Sequence, residues 1–174
     1  FFANSGTEAV EAAIKFARGA TGRTGIAYCS HAFHGLTYGA LSLNGDETFR
    51  RGFEPLLPDC VCIPFNDLAA LEKALSSRQL AAFIVEPIQG KGVILPDEGY
   101  LKGAQELCRR YGTLFVADEI QTGIGRTGKF LAGEHWDIEP DMVLIAKALS
   151  GGYVPVGAVL MRKTIYDKIF NRMD

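Results

Sequence analysis

The stretch DEIQTGIGRTGK, residues 118–129, is compatible with two kinds of chemistry. Its glycine-rich half, from Gly123 to Lys129, matches the G-x-G-x-x-G spacing of dinucleotide-binding turns and most of the G-x-x-x-x-G-K spacing of triphosphate-binding loops. Its first half places Asp118 and Glu119 at the end of an apolar run, where carboxylates rarely lie without a cationic or hydrogen-bonding partner. Either the glycines hold a nucleotide or the carboxylates carry the chemistry.

The residues around the glycines argue against a nucleotide. A triphosphate-binding loop requires Ser or Thr after its lysine, but Phe130 follows Lys129. A dinucleotide-binding turn must open an amphipathic helix, and no helical periodicity begins here. We therefore interpret the glycine-rich part as an active-site loop. Asp118 keeps two interpretations at this stage, as the partner of a protonated ring nitrogen or as a cap for the loop that follows.

Lys147 directly follows the apolar run MVLIA, residues 142–146. A lysine at the end of a buried strand is desolvated, which favours the neutral amine that attacks carbonyl compounds and forms a Schiff base. A lysine whose ammonium group reaches back to water from the strand end explains the same position. Position alone leaves both interpretations open.

Two more segments carry residues with possible ligand chemistry. Ser5, Gly6 and Thr7 lie where a helical pattern begins, and free N–H groups at a helix N-terminus attract phosphate. An ordinary N-cap accounts for them as well. Phe33 and His34 follow the run IAYC, where an aromatic ring can stack on a flat cofactor or simply belong to the core.

The elements that must position these residues follow from apolar periodicity. Short apolar runs predict strands at 26–29, 61–65, 81–86, 114–119, 142–146 and 156–161, most of them buried on both faces. Amphipathic patterns predict helices at 7–19, 67–77 and 99–112, the last ending at Gly112. This alternation predicts an α/β domain, a mostly parallel sheet with helices on both faces.

Polar and glycine-rich segments follow four of the predicted strands. They read SHAFHG, EPIQGKG, DEIQTG and KALSGG in chain order. Ligands bind beyond the carboxyl ends of parallel strands, so we expect these segments to meet at one edge of the sheet. A phosphate cradle, a stacking aromatic ring, a carboxylate for a ring nitrogen and a Schiff-base lysine together match the requirements of pyridoxal 5'-phosphate.

The whole chain resembles the class III (ω-amino-acid) aminotransferases, pyridoxal-phosphate enzymes of fold type I. The resemblance is carried by NSGTEAVEAAIKFAR, AFHGLTYGALSL, VEPIQG, DEIQTGIGRTGKF and AKALSGGYVPVGAV, in this order and spacing. For the cofactor, it implies that the backbone of Gly6 and Thr7 holds the phosphate. It further implies that Phe33 stacks on the pyridine ring, with His34 beside it.

The same resemblance implies roles for four polar residues. Asp118 pairs with the pyridine N–H, and Gln121 approaches the phenolic oxygen. Glu86 stands near the substrate side and the Gln121 network. Lys147 forms the Schiff base with the cofactor and then moves the proton between the substrate carbon and the cofactor.

A transaminase is the activity that the resemblance implies. An amino group passes from a primary amine, an ω-amino acid or a diamine to a 2-oxo acid, and both substrates are small molecules. The family also contains racemases, aminomutases and decarboxylases, which share Asp118 and Lys147. A racemase needs no second substrate. A non-catalytic module that keeps the fold is the alternative from another class.

The chain begins FFANSG, without Met, and ends NRMD after a helical pattern. With the resemblance, we expect residues 1–174 to be a partial cofactor-binding large domain that lacks an N-terminal segment and a C-terminal small domain. The expected full-length enzyme is a homodimer whose second subunit supplies a Thr to the phosphate.

Two positions bear on the substrate. Ornithine and acetylornithine aminotransferases carry an Arg three residues after the stacking Phe, where this chain has Leu36. An aliphatic side chain cannot pair with a carboxylate, which disfavours those substrates. The same relatives have an acidic residue after PIQG, where this chain has Lys91.

The composition narrows the class of protein. The chain has 174 residues, 48% hydrophobic and 22% charged, with a formal net charge of −2, and these values fit a soluble globular domain that is not built to bind nucleic acid. No apolar run reaches the length of a membrane span. The four cysteines form no C-x-x-C pair and predict reduced thiols in a cytoplasmic protein, while three histidines argue against a metal site.

Overall fold

Consecutive apolar residues form the strands of a seven-stranded sheet in the computed structural model, which describes residues 1–170. The strands are β1 (Phe2–Ala3), β2 (Gly25–Cys29), β3 (Cys60–Ile63), β4 (Leu80–Val85), β5 (Leu114–Asp118), β6 (Met142–Ile145) and β7 (Gly157–Met161). Their order across the sheet is β1-β7-β6-β5-β4-β2-β3. The strands β2 to β6 pair in parallel, and β7 pairs antiparallel with β6 and β1. The predicted mostly parallel sheet is confirmed.

Helices cover both faces of the sheet, as predicted. On β4, Ala82 and Ile84 face one hydrophobic cluster, while Phe83 and Val85 face another. The first cluster contains residues of α1 (Gly6–Thr21) and α6 (Lys163–Phe170), and the second those of α4 (Leu68–Leu75) and α5 (Tyr100–Tyr111). This alternation explains why β4 is apolar at every position.

Capping residues set the ends of the long helices. Ser5 is the N-cap of α1 and accepts a hydrogen bond from the Glu8 amide, 3.2 Å away. Gly22 and Gly112 adopt left-handed backbone conformations directly after α1 and α5, which end helices at low steric cost. The predicted helices at 7–19, 67–77 and 99–112 therefore correspond to α1, α4 and α5.

Some elements differ from expectation. The strand β3 lies at the edge of the sheet and exposes Val61 and Cys62, so it is not buried on both faces. The helices α2 (Tyr38–Leu41) and α3 (Glu47–Arg50) were not predicted, because one turn is too short to show a period. No helix among the described residues is long and apolar enough to cross a membrane.

Candidate active site

The carboxyl ends of β2, β4, β5 and β6 and the N-terminus of α1 surround a cavity of about 890 Å³. Its lining includes every site residue proposed from the sequence, namely Gly6, Thr7, Phe33, His34, Glu86, Asp118, Gln121 and Lys147. Parallel strands bring these segments together because their carboxyl ends lie at the same edge. The structure therefore assembles residues that lie up to 141 positions apart, from Gly6 to Lys147, around one space.

Lys147 begins a 3₁₀ turn, Lys147–Ser150, directly after β6. Its φ of 38° lies in the left-handed region, where a non-glycine residue costs about 1–3 kcal/mol and often marks a functional position. Its Nζ atom donates a hydrogen bond to Gln121 Oε1. Of the two interpretations of Lys147, the structure supports the one in which the side chain reaches water, because Lys147 is exposed in a lining that also includes Gly152 and Tyr153.

Asp118 is the last residue of β5 and is almost fully buried. Its Oδ2 atom lies 2.6 Å from His34 Nδ1, and its Oδ1 atom accepts a hydrogen bond from the Ile120 amide at 3.1 Å. The carboxylate therefore caps the turn after β5 and also faces the cavity. The two interpretations of Asp118 are compatible, since they use different oxygen atoms.

His34 is buried beside this carboxylate. Burial has the largest effect and by itself lowers the pKa of the imidazole. The hydrogen bond with Asp118, together with the negative charges of Asp118 and Glu86, outweighs burial, so the pKa of His34 is raised above its ordinary value. This pairing favours the protonated form of the His34 ring.

Glu86 follows β4 and links two of the loops that form the cavity. Its carboxylate accepts hydrogen bonds from the Phe33 amide at 3.1 Å and from the Gly90 amide at 3.0 Å. Burial raises the pKa of Glu86, the charge of Asp118 raises it further, and His34 and the two amides act against this rise. Glu86 thus fixes the backbone from which the Phe33 ring projects.

The Phe33 ring borders the cavity. It is 36% exposed, and its only recorded aromatic neighbour within the described residues is Phe49, with ring centroids 5.3 Å apart. The interpretation of Phe33 as a core residue is therefore wrong. Its position in the cavity lining makes the ring accessible to a flat ligand.

The N-terminus of α1 forms the opposite end of the lining. Ser5 caps the helix, yet the amides of Gly6 and Thr7 donate to no acceptor within residues 1–170. A Cβ atom on Gly6 would lie 2.9 Å from Ile120 Cγ2, so only glycine allows α1 to approach the turn after β5 this closely. Two free amides at a helix N-terminus can bind a phosphate group.

A sequence comparison agrees with this geometry. The family described as "Aminotransferase class-III" matches residues 1–172. The chain belongs to the class-III aminotransferase family. The resemblance inferred from the sequence motifs is thus confirmed, as is the fold type.

Among curated relatives of this class-III chain, the aminotransferase PigE of a Serratia species is 53% identical over 163 residues. That match covers 93% of the chain and 19% of PigE. An acetylornithine aminotransferase of Bacillus cereus is 48% identical over 166 residues, covering 95% of the chain and 42% of the relative. The chain therefore spans less than half the length of these curated relatives.

Solved structures show the same fold. The ornithine aminotransferase of Toxoplasma gondii is 40% identical, with a TM-score of 0.92 over 96% of this chain and 42% of that one. An amine transaminase from an uncultivated Pseudomonas species, solved with PLP bound as the internal aldimine, is 32% identical with a TM-score of 0.89. That alignment covers 99% of this chain and 45% of the transaminase.

The two acids of DEIQTG have different surroundings in the class-III chain. Asp118 lines the cavity, whereas Glu119 is buried outside it and accepts hydrogen bonds from the Ala132 amide at 3.0 Å and the Gly133 amide at 2.7 Å. Residues 123–129 form turns and line no part of the cavity, so the expectation of an active-site loop is wrong for them. Glu119 instead anchors the segment that follows those turns.

Sequence reasoning missed a buried amide that holds the aromatic loop. Asn44 Oδ1 accepts from the His34 amide at 2.9 Å, and Asn44 Nδ2 donates to the Gly35 carbonyl at 2.8 Å. Asn44 is fully buried and lies in a loop with no regular period. No pattern in the sequence could have found it, because its role depends on how the loop folds back.

Proposed function

We propose that residues 1–174 are part of the pyridoxal-phosphate-binding large domain of a transaminase. The enzyme moves an amino group from a primary amine, an ω-amino acid or a diamine to a 2-oxo acid. The observation that carries this proposal is the cavity that Lys147 and Asp118 share with the amide-bearing N-terminus of α1. An amine, a carboxylate and a phosphate-binding terminus around one space suit this cofactor.

The residues fit the three functional ends of the cofactor. The free amides of Gly6 and Thr7 suit the phosphate, and the buried Asp118 carboxylate suits a protonated ring nitrogen. The Lys147 amine suits the aldehyde carbon. When bound, pyridoxal phosphate supplies a ring that accepts the electron pair left on the substrate carbon after that carbon loses a proton.

The residues of the chain would control protons and charge around that ring. Asp118, held by His34 and the Ile120 amide, presents a fixed negative charge that keeps a ring nitrogen protonated. The Lys147 amine would take up the proton of the substrate carbon and later release it, as a general base and acid. Gln121 contacts the Lys147 amine and restricts its direction.

The substrate assignment rests on the cavity lining. Leu36 lines the cavity and offers no charge for a carboxylate, while Lys91 is paired with Asp46 and lies 5.2 Å above the Phe49 ring. This lining supports an amine donor that needs no guanidinium clamp at position 36. The relatives include both acetylornithine aminotransferases and an amine transaminase, so family membership fits either donor class.

The proposed enzyme is a homodimer in the cytoplasm. Large exposed apolar side chains border the cavity, among them Leu36 and Val154, and Tyr153 is 93% exposed. Apolar groups clustered at one surface indicate a protein interface. The four free cysteines support a reducing compartment.

The decisive experiment compares one-substrate with two-substrate chemistry in the whole protein. Purified enzyme loaded with pyridoxal phosphate is mixed with a panel of amines, with and without a 2-oxo acid, and the new amino acid is measured by chromatography. Transamination predicts product only when both substrates are present. Racemisation or decarboxylation of an amino acid without any 2-oxo acid would instead identify the rival reactions, and no turnover at all would favour a non-catalytic module.

A further inference from the structure

A chain of hydrogen bonds joins α1 to the loop that carries the aromatic residue. Glu11, one turn into α1, accepts at its Oε1 atom from the Gly39 amide at 2.8 Å and the Ala40 amide at 3.1 Å. The same oxygen accepts the Thr37 hydroxyl at 2.5 Å. Glu11 therefore binds the backbone at the start of α2 and accepts the only hydroxyl proton of Thr37.

The direction of the next hydrogen bond follows from counting protons. Thr37 Oγ1 lies 2.7 Å from Thr7 Oγ1, and a hydroxyl group has one proton to donate. Because Thr37 gives its proton to Glu11, Thr7 must donate to Thr37. The Thr7 oxygen also accepts from the Thr37 amide at 3.3 Å. The Thr7 hydroxyl thus has no proton left for a ligand.

Two glycines leave the space that this arrangement requires. A Cβ atom on Gly35 would lie 2.3 Å from Thr7 Oγ1, and Gly35 has a φ of +129°. A Cβ atom on Gly39 would lie 2.2 Å from Glu11 Oε2. The loop can therefore lie directly on the side chains of Thr7 and Glu11.

We propose that Glu11 and Thr37 are positioning residues for the phosphate end of the site. This inference rests on the proposed function, since it assigns the phosphate to the N-terminus of α1. Glu11 and Thr37 hold the Thr7 side chain with its proton turned toward Thr37. The phosphate of the cofactor is then held by the backbone amides of Gly6 and Thr7, with Thr7 fixed in place through its side chain.

The ring end of the same loop is anchored separately. The Phe33 amide donates to Glu86, and Asn44 holds both the His34 amide and the Gly35 carbonyl. Loss of the Thr37 hydroxyl therefore leaves these anchors in place. Substitution of Thr37 should therefore weaken binding of the phosphate group and leave binding of the ring unchanged.

A pair of ligands separates the two ends. Pyridoxal has the ring and the aldehyde of pyridoxal phosphate but lacks the phosphate. The dissociation constants of both ligands are measured by visible absorption with the whole apoprotein. Wild type is compared with Thr37→Val, Thr37→Ser and Thr24→Val. Thr24 is exposed, and no hydrogen bond of its side chain is recorded within the described residues, so Thr24→Val is the matched control.

Thr37→Val removes the hydrogen bond that fixes the Thr7 side chain, and the loss of one hydrogen bond corresponds to about a tenfold effect. The variant should therefore weaken the binding of pyridoxal phosphate about tenfold and change the binding of pyridoxal less than about twofold. Thr37→Ser keeps the hydroxyl group and should restore wild-type affinity, and Thr24→Val should change neither ligand. If Thr37→Val weakens the binding of both ligands equally, Thr37 only supports the loop. If the affinity of Thr37→Val for pyridoxal phosphate is unchanged, Thr37 has no role at the phosphate. Either result overturns the proposal.

A second variant covers the case in which Thr37→Val fails to fold. Glu11→Gln keeps the shape but weakens the acceptor, and it should show the same loss for pyridoxal phosphate alone. A wild-type protein that binds no pyridoxal phosphate would overturn the proposed function together with this inference. Wild-type binding with unselective variants would overturn the positioning roles and leave the proposed function standing.

Discussion

The Oδ2 atom of Asp118 lies 2.6 Å from Nδ1 of His34, and both side chains are buried at the base of the cavity. The pair joins the end of β5 to the loop after β2. The raised pKa of His34 favours the protonated imidazole, which places a positive charge beside the buried Asp118 side chain. The Asp118 side chain that is proposed to pair with the ring nitrogen is therefore held in place by His34.

His34 should make the stability of the apoprotein depend on pH. Because the pKa of His34 is raised in the folded state, its contribution is fully present below the unfolded value of about 6.5 and is lost as pH rises through the folded value. Urea unfolding can be measured from about pH 5.5 to about pH 9. The free energy of unfolding should differ most between wild type and His34→Gln at the acidic end of this range.

The exposed His31 provides the control, and His31→Asn suits its left-handed backbone. The difference in free energy of unfolding between wild type and His31→Asn should not show the pH dependence expected for His34→Gln. A gap for His34→Gln that grows with pH would mean that the imidazole is held neutral in the folded protein.

Lys147 should carry the covalent link to the cofactor. Borohydride treatment of the loaded whole enzyme should fix the cofactor to this residue, and peptide mapping by mass spectrometry reads the position. Lys147→Ala should abolish turnover, because both the nucleophilic amine and the proton carrier are lost. Lys129→Ala removes an exposed lysine outside the cavity and should keep full activity. A label found on another lysine contradicts the assignment.

Asp118→Asn should slow the first half-reaction by orders of magnitude and weaken cofactor binding much less. The substitution removes the charge that keeps the ring nitrogen protonated, while the amides at the N-terminus of α1 still bind the phosphate. Stopped-flow absorbance with a single amine substrate measures the rate. Asp97→Asn changes an exposed carboxylate and serves as the control. A near-normal single-turnover rate in Asp118→Asn would remove this role.

Position 36 should influence the choice of donor. Leu36 is 59% exposed and lines the cavity, so Leu36→Arg places a guanidinium where a substrate carboxylate can pair with it. We expect kcat/KM for acetylornithine to rise relative to that for diamines lacking a carboxylate. Leu95→Arg adds the same charge at an equally exposed leucine, 59%, outside the cavity, and should leave that ratio unchanged. Strong acetylornithine turnover by the unmodified enzyme would mean that another residue binds the carboxylate.

The sequence predicted the sheet and its binding edge because both depend on local patterns. Runs such as AAFIVE show burial directly, and parallel strands place their ends together without further information. The contacts of Thr37 with Glu11 and with Thr7 could not be predicted, since they join residues up to 30 positions apart through a loop with no period. The sequence left the exposure of Lys147 open, because a strand-end position does not reveal how open the cavity is.

Residues 1–174 expressed alone should aggregate and show no transaminase activity, whereas the whole protein should form a dimer that holds two cofactors. Phe2 is 80% exposed and Tyr153 is 93% exposed, and apolar groups exposed in this way favour association unless other parts of a protein cover them. The chain also spans only 42% of the acetylornithine aminotransferase that it matches, so we propose that the remainder supplies that cover. Size-exclusion chromatography with detection in the visible range measures assembly and cofactor content together. Phe2→Ser combined with Tyr153→Ser should raise the soluble yield of the short chain without restoring turnover. A monodisperse, cofactor-binding and active short chain would show that these exposed residues need no partner.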